Sequence, residues 1–342
     1  MFLTACGEAS QEKVLKKLDK AWTSEKGYEI EATMEMNIGA EMKKYAIEVW
    51  HSEPEFYRVK VSDEANESQL ILRNEEGVFV VTPSTNKSYK FQSDWPHKNS
   101  QAYLLEGLLQ QIKGDSEAKM SKKDDEYIFV VNLTEDKSGL QTARIQIDEK
   151  TLKPQVVTLF NAEEQEQVVI KFAETKYSSK RSAEDYALEK YSENKDNSQQ
   201  TETSGAETSD TETSDTETSG TETDSKDTSS TEQTTYYPII DWAEVKLSDE
   251  QTIQQDGVTR TVLSYTGEKS FTLLQQPVEA SNELLPVFAP GDPAHVGAVI
   301  GAMTDTSLSW QQDGKEFFIA SSTLTMDEML EVAGSLVEGS MK

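Results

Sequence analysis

The chain of 342 residues has a single cysteine, Cys6, which excludes an internal disulfide and any zinc site built from several cysteines. It has no apolar run of 18 residues, so no stretch of it reads as a membrane-spanning helix. Bases are scarce. Lys and Arg number 33 against 62 Asp and Glu, for a formal charge of −29. Phosphate recognition needs a basic stripe, so nucleic acid is excluded as a partner. The same charge opposes general electrostatic attachment to anionic lipid. Apolar residues make up only 35% of the chain, and its 17 glycines raise the figure to about 40%. Globular chains reach roughly 45–50% on that count, so part of the sequence builds no core. The length suggests two domains of about 100–200 residues each.

The charge layout marks those domains. Residues 7–191 hold 26 bases and 34 acids, a balance of −8. Residues 192–235 hold 2 bases and 12 acids, or −10 in a much shorter stretch. Residues 236–342 hold 5 and 16, or −11. The middle stretch has no aromatic residue, no Val, Ile, Leu or Met, and one alanine, Ala206. It repeats GAETS, DTETS, DTETS, GTETD. Such a segment cannot bury enough apolar area to offset its ordering entropy. A disordered, self-repelling acidic linker over 192–235 is expected. Its carboxylates lack the glycine-turned loop of a calcium site, and glycosylation of its Thr and Ser residues stays open.

At the N-terminus, Leu3-Thr4-Ala5-Cys6 resembles a bacterial lipobox, with residues 1–6 as a signal remnant. In that motif the cysteine is acylated and becomes the first residue of the mature protein. The resemblance implies that Cys6 anchors the chain to membrane lipid on the extracytoplasmic face. A lone cysteine suits a lipidated but otherwise thiol-free protein of that compartment. Only five residues precede Cys6. An export signal needs a basic start and about 7–15 apolar residues, so a longer natural reading frame is expected.

Residues 7–191 read as helix, then strands. Val14, Leu15, Leu18, Ala21 and Trp22 share one face of a helix that Gly27 is expected to end. Tyr28, Ile30, Ala32, Met34, Met36 and Ile38 alternate with polar residues over one long strand. Tyr45, Ile47 and Val49 alternate likewise. Further strands are expected at 56–61, 68–73, 78–82, 88–91, 127–133, 141–147, 155–160 and 167–172, separated by turn residues at meander spacing. Leu104, Leu105, Leu108, Leu109 and Ile112 form a helical stripe within the series. The fold class is therefore α+β: one large antiparallel sheet with helices for one face. A sheet of that many strands must curl or split. An incomplete β-barrel with capping helices follows, with a small α+β domain after the linker.

Three segments carry a family resemblance. They are Trp50-x-x-x-Pro54-x-Phe56-Tyr57-Arg58, the run from Glu67 through Gly77 to Thr82-Pro83, and Asn86-Lys87-Ser88-Tyr89. Together they resemble the central hairpins of the lipoprotein-carrier (LolA-like) superfamily, over roughly residues 8–177. That resemblance implies a half-barrel whose interior holds acyl chains, lipoproteins or peptides. The implied cavity residues are Met34, Met36, Ile47, Val49 and Leu108. Taken one by one, the same residues would equally pack an ordinary sheet–helix core.

After the linker, strands are expected at 258–266, 270–274, 296–303, 307–310 and 316–320, the last two joined at Asp313-Gly314. Thr325-x-x-Glu328 is a capping box that opens a helix with Met326, Met329, Leu330, Ala333, Leu336 and Val337 on one face. The pattern from Thr261 to Gln275, then Leu308-x-Trp310-x-x-Asp313-Gly314 and Phe317-Phe318, is similar to a C-terminal domain of Gram-positive envelope and sporulation lipoproteins. It is similar also to the small domain of envelope-stress regulators that bind anti-sigma partners. The resemblance implies a membrane-anchored, non-enzymatic lipoprotein that binds an apolar ligand or lipoprotein, in sporulation or envelope maintenance. The alternative is a regulator that binds an envelope protein through the small domain.

Catalytic signals are few. His51, His97 and His295 have no second ligand at metal spacing and read as solvated loop histidines. No G-x-S-x-G, Walker or G-x-G-x-x-G pattern is present. Neither a catalytic residue, a metal nor a cofactor is expected, although a hydrolase with an unrecognised site stays open.

Overall fold

A computed structural model of the chain describes residues 10–191 and 234–339, apart from 24–25, 39–40, 67, 93–94, 96–100, 134–139 and 282. The acylation candidate Cys6, the histidine His97 and almost all of the acidic stretch lie outside the described residues.

The chain begins with α1 (Gln11–Trp22), followed by six strands: β1 (Tyr28–Ile38), β2 (Glu41–Ser52), β3 (Phe56–Ser62), β4 (Ser68–Asn74), β5 (Gly77–Thr82) and β6 (Lys87–Phe91). Helix α2 (Leu105–Gly114) leads to β7 (Lys119–Lys123), β8 (Glu126–Asn132), β9 (Thr142–Asp148), β10 (Pro154–Phe160) and β11 (Glu166–Tyr177). After the acidic stretch come β12 (Tyr236–Pro238), β13 (Lys246–Gln255), β14 (Val258–Thr266), β15 (Phe271–Pro277) and β16 (Pro286–Phe288). The chain ends with β17 (Asp292–Val296), β18 (Val299–Thr304), β19 (Ser307–Gln312), β20 (Lys315–Ala320), α3 (Met326–Gly334) and β21 (Leu336–Glu338).

The expected fold class holds. One sheet has twelve strands in the order β16-β6-β5-β4-β3-β2-β1-β11-β10-β9-β8-β7, and its two edge strands do not pair, so the curl is not closed into a barrel. All its pairings are antiparallel except β16 with β6. A separate sheet has seven strands, β13-β14-β15-β20-β19-β18-β17, and β12 pairs with β21. Among the described residues no helix is long and apolar enough to cross a membrane.

The side-chain alternation that suggested strands sorts the residues of the large sheet into two faces. Tyr28, Ile30, Ala32 and Met34 of β1 enter one apolar cluster with Ile47 and Val49 of β2, and with Val59 of β3. Val14, Leu18 and Trp22 of α1 and Leu105, Leu108, Leu109 and Ile112 of α2 belong to the same cluster. On the outer face, Leu70, Leu72, Phe79 and Val81 meet Leu188 in a second, smaller cluster. This is why β4 is apolar at consecutive positions rather than alternate ones.

Several local expectations are corrected. Helix α1 stops at Trp22, five residues before Gly27, where the Thr23 backbone N–H is bonded to Asp19 O (3.0 Å). Gly27 has another task. It adopts φ +90° and lies so close to the His51 carbonyl that any Cβ there would overlap it, which sets the base of the β1–β2 hairpin. Helix α3 starts at the expected capping box, with Thr325 accepting from the Glu328 N–H. It ends at Gly334, and Leu336 and Val337 instead pair with Pro238 and Tyr237 as a strand. The apolar run 296–303 is a hairpin, not one strand. Gly297 adopts φ +61° between β17 and β18 and turns the chain there.

Candidate functional site

All five cavity candidates meet in the cluster on the concave face. Met34, Ile47, Val49 and Leu108 are each no more than 4% exposed, and Met36 packs against the cluster edge. Burial that complete means an outside ligand reaches them only when something covering the face moves. Two elements cover it, one helical and one from the small sheet.

The helical cover is fastened where the N-terminus of α2 meets β1 and β2. Tyr28 OH donates to Glu106 Oε2 (2.6 Å) and accepts from the Leu105 N–H (3.3 Å). His51 Nδ1 is 3.1 Å from Phe56 O, so Nδ1 carries the proton and Nε2 is the acceptor. Nε2 faces Glu106 Oε1 at 3.5 Å and Glu53 Oε1 at 3.7 Å. The ring stacks on Tyr57 with centroids 4.2 Å apart. Burial pushes the Glu106 carboxyl up to about 7, opposed by the Tyr28 hydrogen bond. Burial holds His51 down to about 4, opposed by its bond to Phe56 O. Both groups thus favour their neutral forms. Chemically this is a titratable fastening at the foot of a helix. Tyr28 satisfies Glu106 Oε2, while Glu106 Oε1 is buried without a hydrogen-bond partner among the described residues, facing His51 Nε2.

His51 was expected to be solvated, yet it lies within β2 at 3% exposure. Its signal was in the sequence. Position 51 continues the series 45, 47, 49 on the inner face, and that alternation outweighs the polarity of the side chain. His295 is likewise corrected from loop to strand, on β17, where its Nε2 contacts the Gln101 side chain.

The second cover comes from β17 and β18. Ala298, Ile300 and Ala302 join the cluster of the large sheet, although their strands belong to the small one. Ile300 and Ala302 share one face of β18 by their alternate spacing, and Ala298 joins them from the turn that precedes it. Gln69, buried on β4, holds the middle residue by its backbone. Gln69 Oε1 accepts from the Ile300 N–H (2.8 Å), and Gln69 Nε2 donates to Ile300 O (3.5 Å). Around this centre the contacts are polar. Tyr89 OH donates to Glu316 Oε1 (3.1 Å) and accepts from Gln311 Nε2 (2.9 Å). Lys43 pairs with Asp313 at 3.4 Å and Lys87 with Glu316 at 4.0 Å. At the sheet edge, β16 lies parallel to β6, and the Ala289 N–H donates to Lys90 O (3.0 Å). Gln69 and the β17–β18 turn were not singled out in the sequence. Gln69 stands two positions before Ile71 on the inner face, a polar residue in an apolar series.

On the outer face, Trp50 is held between two guanidinium groups, Arg58 at 3.9 Å and Arg181 at 3.6 Å from the ring centroid. Trp50 and Arg58 are direct cross-strand partners. This gives the tryptophan–arginine spacing of that segment a physical role, cation–π packing on the convex face. A shallow recess beside it is lined by Trp50 and Lys176 with Glu29, Glu31, Glu48 and Glu174. Among the described residues no group of three or more His, Cys, Asp or Glu is placed to hold a metal.

Residues 1–186 match the family described as "Sporulation protein YdcC-like". Sporulation protein YdcC of Bacillus subtilis (strain 168) is 32% identical over 344 residues, covering 100% of this chain and 95% of that protein. Among solved structures, a MucA/MucB complex from Pseudomonas aeruginosa is similar at TM-score 0.33 and 10% identity, over 96% of this chain and 99% of the other. LolA superfamily protein NE2245 from Nitrosomonas europaea is similar at TM-score 0.30 and 11% identity, over 53% of this chain and 98% of the other.

Proposed function

The chain belongs to the YdcC-like sporulation protein family, and we propose that it is a non-catalytic binding protein of the cell envelope, anchored through Cys6. Its curled sheet takes an apolar ligand on the concave face. Residues 7–191 form the binding domain, 192–235 a spacer, and 236–342 a small domain that regulates access. The observation that carries this reading is the continuous apolar cluster through Met34, Ile47, Val49 and Leu108, closed on one side by two small alanines and Ile300 within a rim of polar contacts. Fixed cores are closed by apolar packing, whereas separable interfaces carry a polar rim.

The test is extraction and mass spectrometry of the full chain purified from its native envelope. A stoichiometric apolar ligand, or uptake of an added one, supports the reading; a protein that carries none and takes up none contradicts it. Replacing Cys6 by alanine should release the chain from membranes. Persistent membrane association would remove the anchor from the account.

A second reading is a regulator that docks an envelope protein through the small domain. It is favoured by Leu285, Val287 and Phe288, which stay 59–66% exposed around β16. It is also favoured by Phe318, 39% exposed on β20. The small domain is acidic, so a partner docking there should carry a basic patch and bind less tightly as salt rises.

A further inference from the structure

We propose that the inner face of β3–β5 is a peptide site, occupied in this structure by the chain's own β18. Its outside ligand is an extended peptide with a branched apolar residue between two small ones and with acidic flanks. This rests on the binding reading above and names the ligand class and the regulation of that site.

Three observations lead there. First, the occupant is a strand with its preceding turn: Ile300 and Ala302 of β18, together with Ala298 of the β17–β18 turn, enter the cluster of the large sheet as a small–branched–small series. Second, Gln69 bonds both the N–H and the C=O of Ile300. A carboxamide that meets one donor and one acceptor of the same residue reads a peptide backbone as a neighbouring strand would. An acyl chain has neither group and would leave the Gln69 amide buried without a partner, which disfavours it there. Third, the rim on the large-sheet side is basic where it meets the cover. Lys43 and Lys87 are paired with Asp313 and Glu316. A peptide that replaces the cover must offer acids in those places.

The occlusion is intramolecular, so it lowers the apparent affinity by the fraction of molecules that are open. Loosening the cover should therefore raise affinity without adding any contact. The probe is a fluorescein-labelled synthetic peptide of residues 292–317, which carries Ala298, Ile300 and Ala302 together with Asp313 and Glu316, the acids that meet Lys43 and Lys87. Its binding to the full chain is read by fluorescence polarisation.

Two variants loosen the cover and leave the basic rim to the peptide: Ile300→Asp at its centre, and Asp313→Asn with Glu316→Gln on its own side of the rim pairs. The rim variant leaves the apolar cluster untouched and keeps the test informative if Ile300→Asp unfolds the chain. Each should bind the peptide at least about tenfold more tightly than the unaltered protein. Adding Gln69→Leu to either should weaken binding by about tenfold or more. Palmitate should not displace the peptide. Equal peptide binding by the unaltered and loosened proteins would overturn the occlusion. Palmitate uptake without peptide binding would overturn the peptide assignment and leave the apolar-binding reading standing. Uptake of neither by any form would overturn both.

Discussion

The two covers lie over one apolar face and are held by different chemistry. The helical cover contributes Leu105, Leu108, Leu109 and Ile112, each at most 1% exposed, and α1 adds Val14, Leu18 and Trp22. The small-sheet cover contributes Ala298, Ile300 and Ala302, 4–8% exposed; Gln69, Tyr89 and rim ion pairs fasten it, and β16 before it is tied to β6 by backbone hydrogen bonds at the sheet edge. Burial of large side chains stabilises in proportion to the area removed from water. Exposed ion pairs contribute little. The helices are therefore part of the folded core of the large sheet, whereas the β17–β18 hairpin is a docked element. Under the proposed function, the difference makes the hairpin of the small domain, rather than the helices, the part that has to move.

The largest expected effect is on the helical side. Leu108→Ala should destabilise the protein by about 2–5 kcal/mol, because it empties a fully buried site. Calorimetry or urea unfolding checks this. A loss well under 2 kcal/mol would mean that α2 is a docked element too, and would erase the contrast.

The fastening of α2 comes next and has a defined sign. Glu106 is raised to about 7 from 4.5, so its contribution is complete below pH 4.5 and is lost as pH rises through 7. His51 is lowered to about 4 from 6.5, so its contribution is complete above pH 6.5 and is lost as pH falls through 4. The two slopes oppose one another between pH 4.5 and 6.5, each bounded at about 1.4 kcal/mol per pH unit. Glu106→Gln should gain stability relative to the unaltered protein as pH rises from 4.5 to 7. His51→Gln should lose stability relative to it as pH rises from 4 to 6.5. Urea midpoints across this range, compared pairwise, read both; parallel profiles would show that the buried pair does not fasten the helix.

On the small-sheet side, Ile300→Ala should change the unfolding free energy of the large sheet by no more than about 1 kcal/mol. Its cost should fall on docking, read as faster hydrogen exchange in β18. The smallest effect is at the rim. Lys43→Ala should cost less than about 0.5 kcal/mol, since its ion pair with Asp313 is partly solvated. A larger rim effect would make the second cover as permanent as the first.

Much of the large sheet was legible because each long strand has one wet face, and period-2 alternation survives in β1, β2, β8 and β9. Among the strands that were not legible, three show the reason most clearly. Lys119–Lys123 and Lys246–Gln255 are edge strands with mostly exposed side chains, so they carry no apolar row. Their charges suit edges that must not pair with other chains. Pro286–Phe288 pairs with β6, a partner nearly two hundred residues earlier, and no local pattern encodes that distance. Of the site, the apolar face was legible and its cover was not. The run from Val296 to Met303 reads as one buried strand because the turn at Gly297 interrupts it without a polar residue. His51 was readable by position but hidden by residue type.

The most direct measurement is native-state hydrogen exchange at the Ile300 amide, whose proton is accepted by Gln69 rather than by a neighbouring strand. This amide should exchange through a local opening of much lower free energy than the amides of Ile47 and Val49 in β2. Lys43→Ala with Tyr89→Phe should lower that opening energy further while leaving β2 unchanged. An Ile300 amide that exchanges only with global unfolding, in step with β2, would contradict a movable cover.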